Sequence, residues 1–366
     1  MKKLIIALGL LLALVSSAGV ALAEEVKPAG MTPDDIKKAL GMSIYLQGGY
    51  TYNFKNPGSQ ENGLRVFDHK ANSFTFDLAQ LVFLKDAPVG GVGYKLKLSA
   101  GETAKLIHSR GLGEANDAFD LTEAYIDYVA PLGKGLKLRF GKFVTMHGAE
   151  VIEAKDNFNY SRSFLFNYAI PFTHTGLMAG YTFSDLVSAN FYVVNGWDNT
   201  DDNNKGKTVG LTLNLTPIEP VALAFNLMYG PEKDHNNSDN RFLFDFAGTF
   251  KPLKNTTVVI NTDYATEEHS AADGGSAKWY GIAGYVKYDF SDIVSGTIRA
   301  EYFNDKNGLR TGTAQKLKEI TITPEFKIAK SIIVRPEYRH DWSDKGSFDA
   351  GKKTQNTIAL GVMYTW

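Results

Sequence analysis

The 366-residue sequence predicts an all-β protein, a closed antiparallel transmembrane β-barrel of about sixteen strands, with short turns at one end and long loops at the other. Three observations lead there. From Ser43 onward the chain falls into segments of about ten residues in which apolar and polar side chains alternate, the length a tilted strand needs to cross a bilayer. The connections between these segments are short and long by turns, without a break. The last ten residues, Thr357 to Trp366, put Ile358, Leu360, Val362, Tyr364 and Trp366 on one face and leave no chain to cover it. Lipid covers such a face; the opposite one, with Thr357, Ala359, Gly361, Met363 and Thr365, is expected to meet water.

Composition agrees. Eighteen Tyr, 23 Phe and 35 Gly accompany a slightly negative mean hydropathy, too polar for a bundle of membrane helices and unusually aromatic for a soluble sheet. Strands that alternate between lipid and lumen average to that polarity. Cysteine is absent, which excludes disulfides, thiolate metal sites and lipid attachment at an N-terminal Cys.

Residues 1–23 have the three parts of a cleaved signal peptide: Lys2 and Lys3, an apolar run from Leu4 to Val15, and Ala21-Leu22-Ala23 in the A-x-A pattern. Leu4 to Ala23 would nearly span a bilayer as an uncleaved anchor, but the small residues at its end favour cleavage before Glu24. The mature chain then has 37 basic and 40 acidic side chains, a formal net charge of −3, and nothing in it suggests nucleic acid. Segment 24–41 is polar and includes a helix signal: Thr32 as N-cap, Pro33 at the first position, Asp34 and Asp35 early, Lys37 and Lys38 late, and a terminal Gly41. A short helix there has three expected places: free in the periplasm, plugging the lumen, or against a partner. The barrel takes residues 42–366.

Strands are expected near 43–54, 72–84, 91–100, 120–130, 135–144, 173–183, 186–195, 206–216, 221–230, 240–251, 256–266, 278–290, 293–304, 316–327, 331–341 and 356–366. The second changes phase around Leu78 to Leu81, which predicts a bulge. Short connections such as Pro131 to Lys134, Ser184-Asp185 and Pro217 to Pro220 face the periplasm under the barrel rule, together with both chain ends. Long connections near 55–71, 101–119, 145–172, 196–205, 231–239, 267–277, 305–315 and 342–355 face outward. No repeat of 20–50 residues is visible beyond this hairpin rhythm.

The longest connection, Thr145 to Phe172, holds both charges and an apolar half, Phe164 to Phe166 and Pro171-Phe172, so it is expected to pack rather than wave in water. Two placements fit: folded into the lumen as a constriction, or resting on neighbouring loops as a lid. Strand positions in the inward phase carry charge, including Lys95, Lys97, Lys137, Arg139, Arg299, Glu301, Arg335, Glu337 and Arg339. On the lipid face each would cost about 2–4 kcal/mol at the midplane. Glu150 and Glu153 from the loop, opposed by Lys137, Arg139, Arg335 and Arg339, are the expected pore constriction with a transverse field. Lys95, Lys97, Arg299, Glu301 and Glu337 are secondary lumen charges; ion pairs that merely stiffen the wall are the plainer reading of any one of them.

Other chemistry has little support. Asp198 to Asn204 clusters oxygens but lacks the sixth-position Gly and closing Glu of a calcium loop. The seven His show no metal spacing, and no nucleophile elbow or phosphate loop occurs. No catalytic residue, metal or cofactor is assigned.

Several motifs resemble one family. Thr122-Glu-Ala-Tyr-Ile-Asp-Tyr128, Leu138-Arg-Phe-Gly-Lys-Phe143, Gly148-Ala-Glu-Val-Ile-Glu153, Asn159-Tyr-Ser-Arg162, Pro171-Phe-Thr-His-Thr-Gly176 and Asn195-Gly-Trp-Asp198 are similar to those of the β-barrel porin-2 (OmpL-like) family of bacterial outer-membrane proteins. The resemblance implies an outer-membrane barrel that passively conducts small hydrophilic solutes or ions. The long connection 145–172 corresponds in order to the inward-folded third loop of general porins. The Gly361-x-x-Tyr364-x-Trp366 ending resembles the signal read by the barrel assembly machinery. A homotrimer follows by analogy, although no polar lipid-facing strand marks an interface. Two other functions stay open: a non-conducting barrel that displays loops for surface binding, and an outer-membrane lipase or esterase assembled across strands.

Overall fold

The computed structural model describes residues 32–366; the expected signal segment 1–23 and residues 24–31 lie outside that range. Alternating segments become sixteen strands. In order they are β1 (Met42–Asn53), β2 (Ser73–Lys85), β3 (Val92–Ala100), β4 (Phe119–Ala130), β5 (Leu136–Val144), β6 (Thr173–Thr182), β7 (Val187–Val194) and β8 (Thr208–Ile218). The second half comprises β9 (Val221–Pro231), β10 (Asn240–Leu253), β11 (Thr256–Glu267), β12 (Ala277–Asp289), β13 (Val294–Asp305), β14 (Gln315–Ala329), β15 (Ile332–Ser343) and β16 (Thr354–Thr365). Each pairs antiparallel with its sequence neighbours, and β1 pairs with β16, Tyr45 opposite Thr365 and Asn53 opposite Thr357. Closure leaves no strand edge with unpaired backbone groups, the condition for a sheet in lipid.

Boundaries fall within a few residues of those expected. The largest slip is in β8, which starts late because Lys205 to Lys207 belong to the preceding loop, where Gly206 donates to Asn204 Oδ1. It ends late because Ile218 still pairs with Val221. Among the described residues no helix is long and apolar enough to cross a membrane.

Outside, the apolar faces are exposed as the alternation required: Ile126, Phe140, Leu211, Ile282, Ile322 and Leu360 are bare to the surroundings. Two aromatic bands bracket them. Tyr52, Phe74, Tyr229, Tyr264 and Trp342 lie at the long-loop end; Tyr94, Tyr128, Phe183, Tyr288 and Phe290 lie at the turn end. Aromatic rings collect at both bilayer interfaces because one part is apolar and the other tolerates water.

Inside, the barrel is packed. The β16 face expected to meet water is covered instead: Thr357, Ala359 and Met363 are buried. A bulge between Gln47 and Gly48 turns both Asp77 and Leu78 of β2 inward, close to the phase change expected near Leu78 to Leu81. A second, between Lys97 and Leu98 on β3, turns Thr122 and Glu123 of β4 inward together, and the alternation shows no sign of it. Pro324 and Pro336 face outward near mid-strand and interrupt the β14–β15 ladder between the Ile322–Tyr338 and Phe326–Val334 pairs, since proline has no N–H to give.

Among the described residues two α-helices flank the strands. The first, α1 (Pro33–Leu40), forms where expected: Thr32 and Asp35 make a reciprocal capping box and Gly41 ends it at φ +57°. It lies at the turn end beside the barrel's closure, with Lys37 Nζ 4.3 Å from the Trp366 ring centroid and Leu84 N–H donating to Gly41 O at 3.0 Å. It does not plug the lumen. The second, α2 (Glu102–Leu106), is a five-residue turn of helix in the second long loop, and it has no side-chain cap by which the sequence could announce it.

Candidate permeation site: the inward loop

Thr145 to Phe172 leaves β5 and returns to β6, and its base is tied by Thr145 N–H to Phe172 O at 2.9 Å. It turns inward at Gly148, whose φ of +87° favours glycine and where a Cβ would meet Ile170 Cδ1 at 2.6 Å. Of the two expected placements the loop takes the lumen. Its first hold is on the far wall: Gly148 N–H donates to Asp245 Oδ1 at 3.0 Å and Ala149 N–H to Asn261 Oδ1 at 3.3 Å, on β10 and β11.

An irregular loop in a barrel carries backbone groups that neither helix nor sheet satisfies. Here the inward charges of the strands satisfy them. Glu337 accepts from Tyr160 N at 2.7 Å and Ser161 N at 3.0 Å; Glu301 accepts from Phe164 N at 2.7 Å and Leu165 N at 2.6 Å. Arg335 donates to Ala154 O and to Asn159 O, and Arg339 to Arg162 O at 2.6 Å. Arg162, inside the loop, donates to Val151 O, Ile152 O and Tyr160 O and holds the loop to itself. Charge-assisted bonds of this kind are stronger than neutral ones, and several converge on each segment.

The acids of the loop are paired. Glu150 meets Arg299 at 2.8 Å, Arg299 also meets Glu319 at 2.6 Å, and Ser163 N–H donates to Glu150 at 2.7 Å. Glu153 meets Lys97 at 2.8 Å and accepts from Gln80 at 2.7 Å. Burial alone would raise the Glu153 carboxyl, but the Lys97 charge and the bonds from Lys97 and Gln80 outweigh it and hold it down at about 2. His147 goes the other way: burial, then the neighbouring His174, lower it to about 3, so the ring is neutral. Its Nδ1 lies 3.2 Å from Thr145 Oγ1, and its buried Nε2 has no partner.

The apolar half closes the loop end of the lumen. Leu165 to Ala169 form one π-helical turn, Phe166 packs against Phe67 and Phe172 with ring centroids 5.6 and 5.4 Å away, and Tyr168 stacks on Phe303 at 6.2 Å. Trp279 Nε1–H donates to Ala169 O at 3.1 Å, and Arg310, from the seventh long loop, donates to Tyr168 O at 2.6 Å. Phe67 comes from the first long loop, which also folds in: Arg65 meets Asp341 at 2.6 Å. Every strand carries at least one inward residue that solvent hardly reaches. Toward the turn end two cavities remain under the loop. One of about 320 Å³ lies between Glu150, Phe158 and the β8–β12 wall at Asn214 and Tyr285; one of about 310 Å³ is lined by Tyr45, Gln80, Lys95 and Lys97.

The expected constriction residues are therefore not one opposed set. Glu150, Glu153, Arg335 and Arg339 are brought together by the loop but are buried against partners; the Arg299, Arg335 and Arg339 side chains are 0, 2 and 1% exposed. Lys137 and Arg139 sit apart on β5. Lys137 is exposed, while Arg139 pairs with Asp127 at 2.7 Å and lies over the Tyr125 ring at 3.6 Å. Of the secondary charges, Lys95 and Lys97 share Glu123, each at 2.7 Å. Gly361, read as part of the C-terminal signal, faces the loop: a Cβ there would meet the Tyr160 ring at 2.3 Å, and one on Gly49 across β1–β16 would meet Tyr160 OH at 2.2 Å. Tyr364 and Trp366 face away from the lumen, and Trp366 exchanges two backbone bonds with Ile44 of β1. Gly49, Asp77, Tyr160, Arg65 and Asp341 belong to the site although their types gave no warning; glycine inside a strand, the mark of a close approach, was the one available signal. Among the described residues no group of His, Asp and Glu is placed to hold a metal ion.

A closed sixteen-stranded barrel with two aromatic girdles, short turns, long loops and its third long loop folded into the lumen is an outer-membrane porin, with its turn end in the periplasm. The chain belongs to the family described as "Putative beta-barrel porin-2, OmpL-like", whose model matches residues 39–366. Among solved structures it is similar to the outer membrane channel DcaP of Acinetobacter baumannii, at 12% identity and TM-score 0.61 over 89% of this chain and 96% of that one. An anion-selective porin from Comamonas acidovorans matches at 9% identity and TM-score 0.62 over 89% and 98%. OmpT of Vibrio cholerae, in a trimer form, matches at 14% identity and TM-score 0.58 over 89% and 98%. At such identities the likeness is one of fold. No curated protein sequence matches the chain.

Proposed function

We propose that the chain is a passive diffusion channel for small hydrophilic solutes or ions in which loop 145–172 sets what passes. The observation that carries this is the loop's double attachment, to β10 and β11 on one side and to β13–β15 on the other, inside a closed barrel. Glu150, Glu153, Arg335 and Arg339 act by holding the loop across the lumen. Lys137 and Arg139 line the periplasmic vestibule below it. The chain performs no chemistry on its solute. Residues 1–23 are its export signal, the Gly361, Tyr364 and Trp366 ending serves barrel assembly, and the assembled form is a homotrimer, as in the trimer form of the Vibrio OmpT.

Liposome swelling tests the reading. Vesicles carrying the refolded mature protein are expected to swell in small sugars and salts and to resist larger ones; no swelling in any solute, from protein shown to be folded and inserted, would sink it. The packing of the loop favours one other reading, a non-conducting barrel that presents its outer loops to a partner, and the same measurement separates the two.

A further inference from the structure

On the proposed channel function, a porin whose inward loop packs across the loop end of the lumen can conduct only after the loop moves. We propose that the described conformation is the shut state of a gate, and that Tyr160, seated in a notch made by Gly49 and Gly361, is its latch. The notch lies on the β1–β16 seam, where the two glycines are direct register partners. Added side chains at either position would overlap Tyr160, at 2.2 Å from its OH for Gly49 and 2.3 Å from its ring for Gly361, so the wall is shaped to this one residue.

The ring is fixed at its far end as well. Tyr160 OH donates to Asp77 Oδ2 at 2.7 Å, and Gln47 Nε2 donates to the same oxygen at 3.0 Å. The β2 bulge is what aims Asp77 at it; with regular alternation either Asp77 or Leu78 would face lipid. Backbone bonds from Tyr160 and Ser161 to Glu337 complete the seat. Tyr160 sits where the seam is built of small side chains, Gly49 beside Thr51 on β1 and Gly361 beside Ala359 on β16, while Thr357 further along is held by Arg65 of the first long loop. The β13–β15 wall, by contrast, holds the loop with Arg299, Arg335, Arg339 and their acids.

The absence of cysteine makes a direct test practical. In the double variant Y160C/G361C the only two thiols face each other: a Cβ on Gly361 would lie 2.7 Å from Tyr160 Cγ, which places the two Cβ atoms near bridging range. Single-channel recording is expected to show the oxidised barrel silent, the reduced barrel conducting with longer openings than the parent, and reductant restoring current to the oxidised form. Tyr160→Ala should match the reduced variant, and Tyr160→Phe, which keeps the ring and loses the Asp77 bond, should fall between it and the parent. Heat-modifiable gel migration checks that each variant is folded. Failure of the thiols to bridge in the folded barrel, or equal current from bridged and reduced forms, would overturn the latch and leave the channel reading standing. Silence from every form, Tyr160→Ala included, would instead overturn the channel reading.

Discussion

Arg299 shows what the lumen charges do at the scale of one residue. Its guanidinium bridges Glu150 of the loop and Glu319 of β14 and donates to Ser161 O at 2.8 Å, with its side chain wholly buried. Removing one partner of such a pair strands the others, so Arg299→Met should destabilise the barrel by about 3–5 kcal/mol, read as a drop in thermal unfolding temperature in detergent. Adding Glu150→Gln and Glu319→Gln to it should recover part of the loss. His147 gives a pH dependence with a definite sign. Its docked value of about 3 lies below the solution value near 6.5, so the undocked loop binds the extra proton. Its contribution to docking is complete above about pH 6.5 and is lost as pH falls toward 3. Protease cleavage within 148–163 should therefore rise on acidification, and His147→Gln should remove that rise; the same acid dependence in both proteins would show that another group titrates.

At the scale of elements, the strands were legible because lipid on one side and a filled lumen on the other impose a strict period of two. Leu211 on β8 illustrates it: its outward place follows from the pattern alone, and Leu211→Arg should cost about 2–4 kcal/mol in refolding titrations with vesicles. Helix α1 was legible because its caps are side chains, Thr32 and Asp35. What escaped was set by partners distant in sequence. The bulge at Thr122 and Glu123 depends on Lys97 across the ladder. The alternation says which charges point inward, but whether Arg335 meets water or Ala154 O depends on a loop some 180 residues earlier, which no local pattern reports. Charge in a lumen can face solvent or a partner, and here the unsatisfied backbone of the loop claims Glu301, Arg335, Glu337 and Arg339.

In the molecule as proposed, the wall is a passive scaffold and the loop is the working part. The closed sheet supplies sixteen inward faces and no edge, so insertion in lipid does not depend on the loop. Deleting residues 149–168 should leave a barrel that still inserts, conducts continuously and passes solutes the parent excludes. Single-channel conductance of the refolded mature protein in a planar bilayer, with and without that deletion, is the most direct measurement of the central claim. Brief, salt-proportional openings separated by closures are expected of the intact chain, and larger, uninterrupted current once the loop is gone. Silence from both proteins, each shown to be folded and inserted, would contradict it, as would identical current from the two.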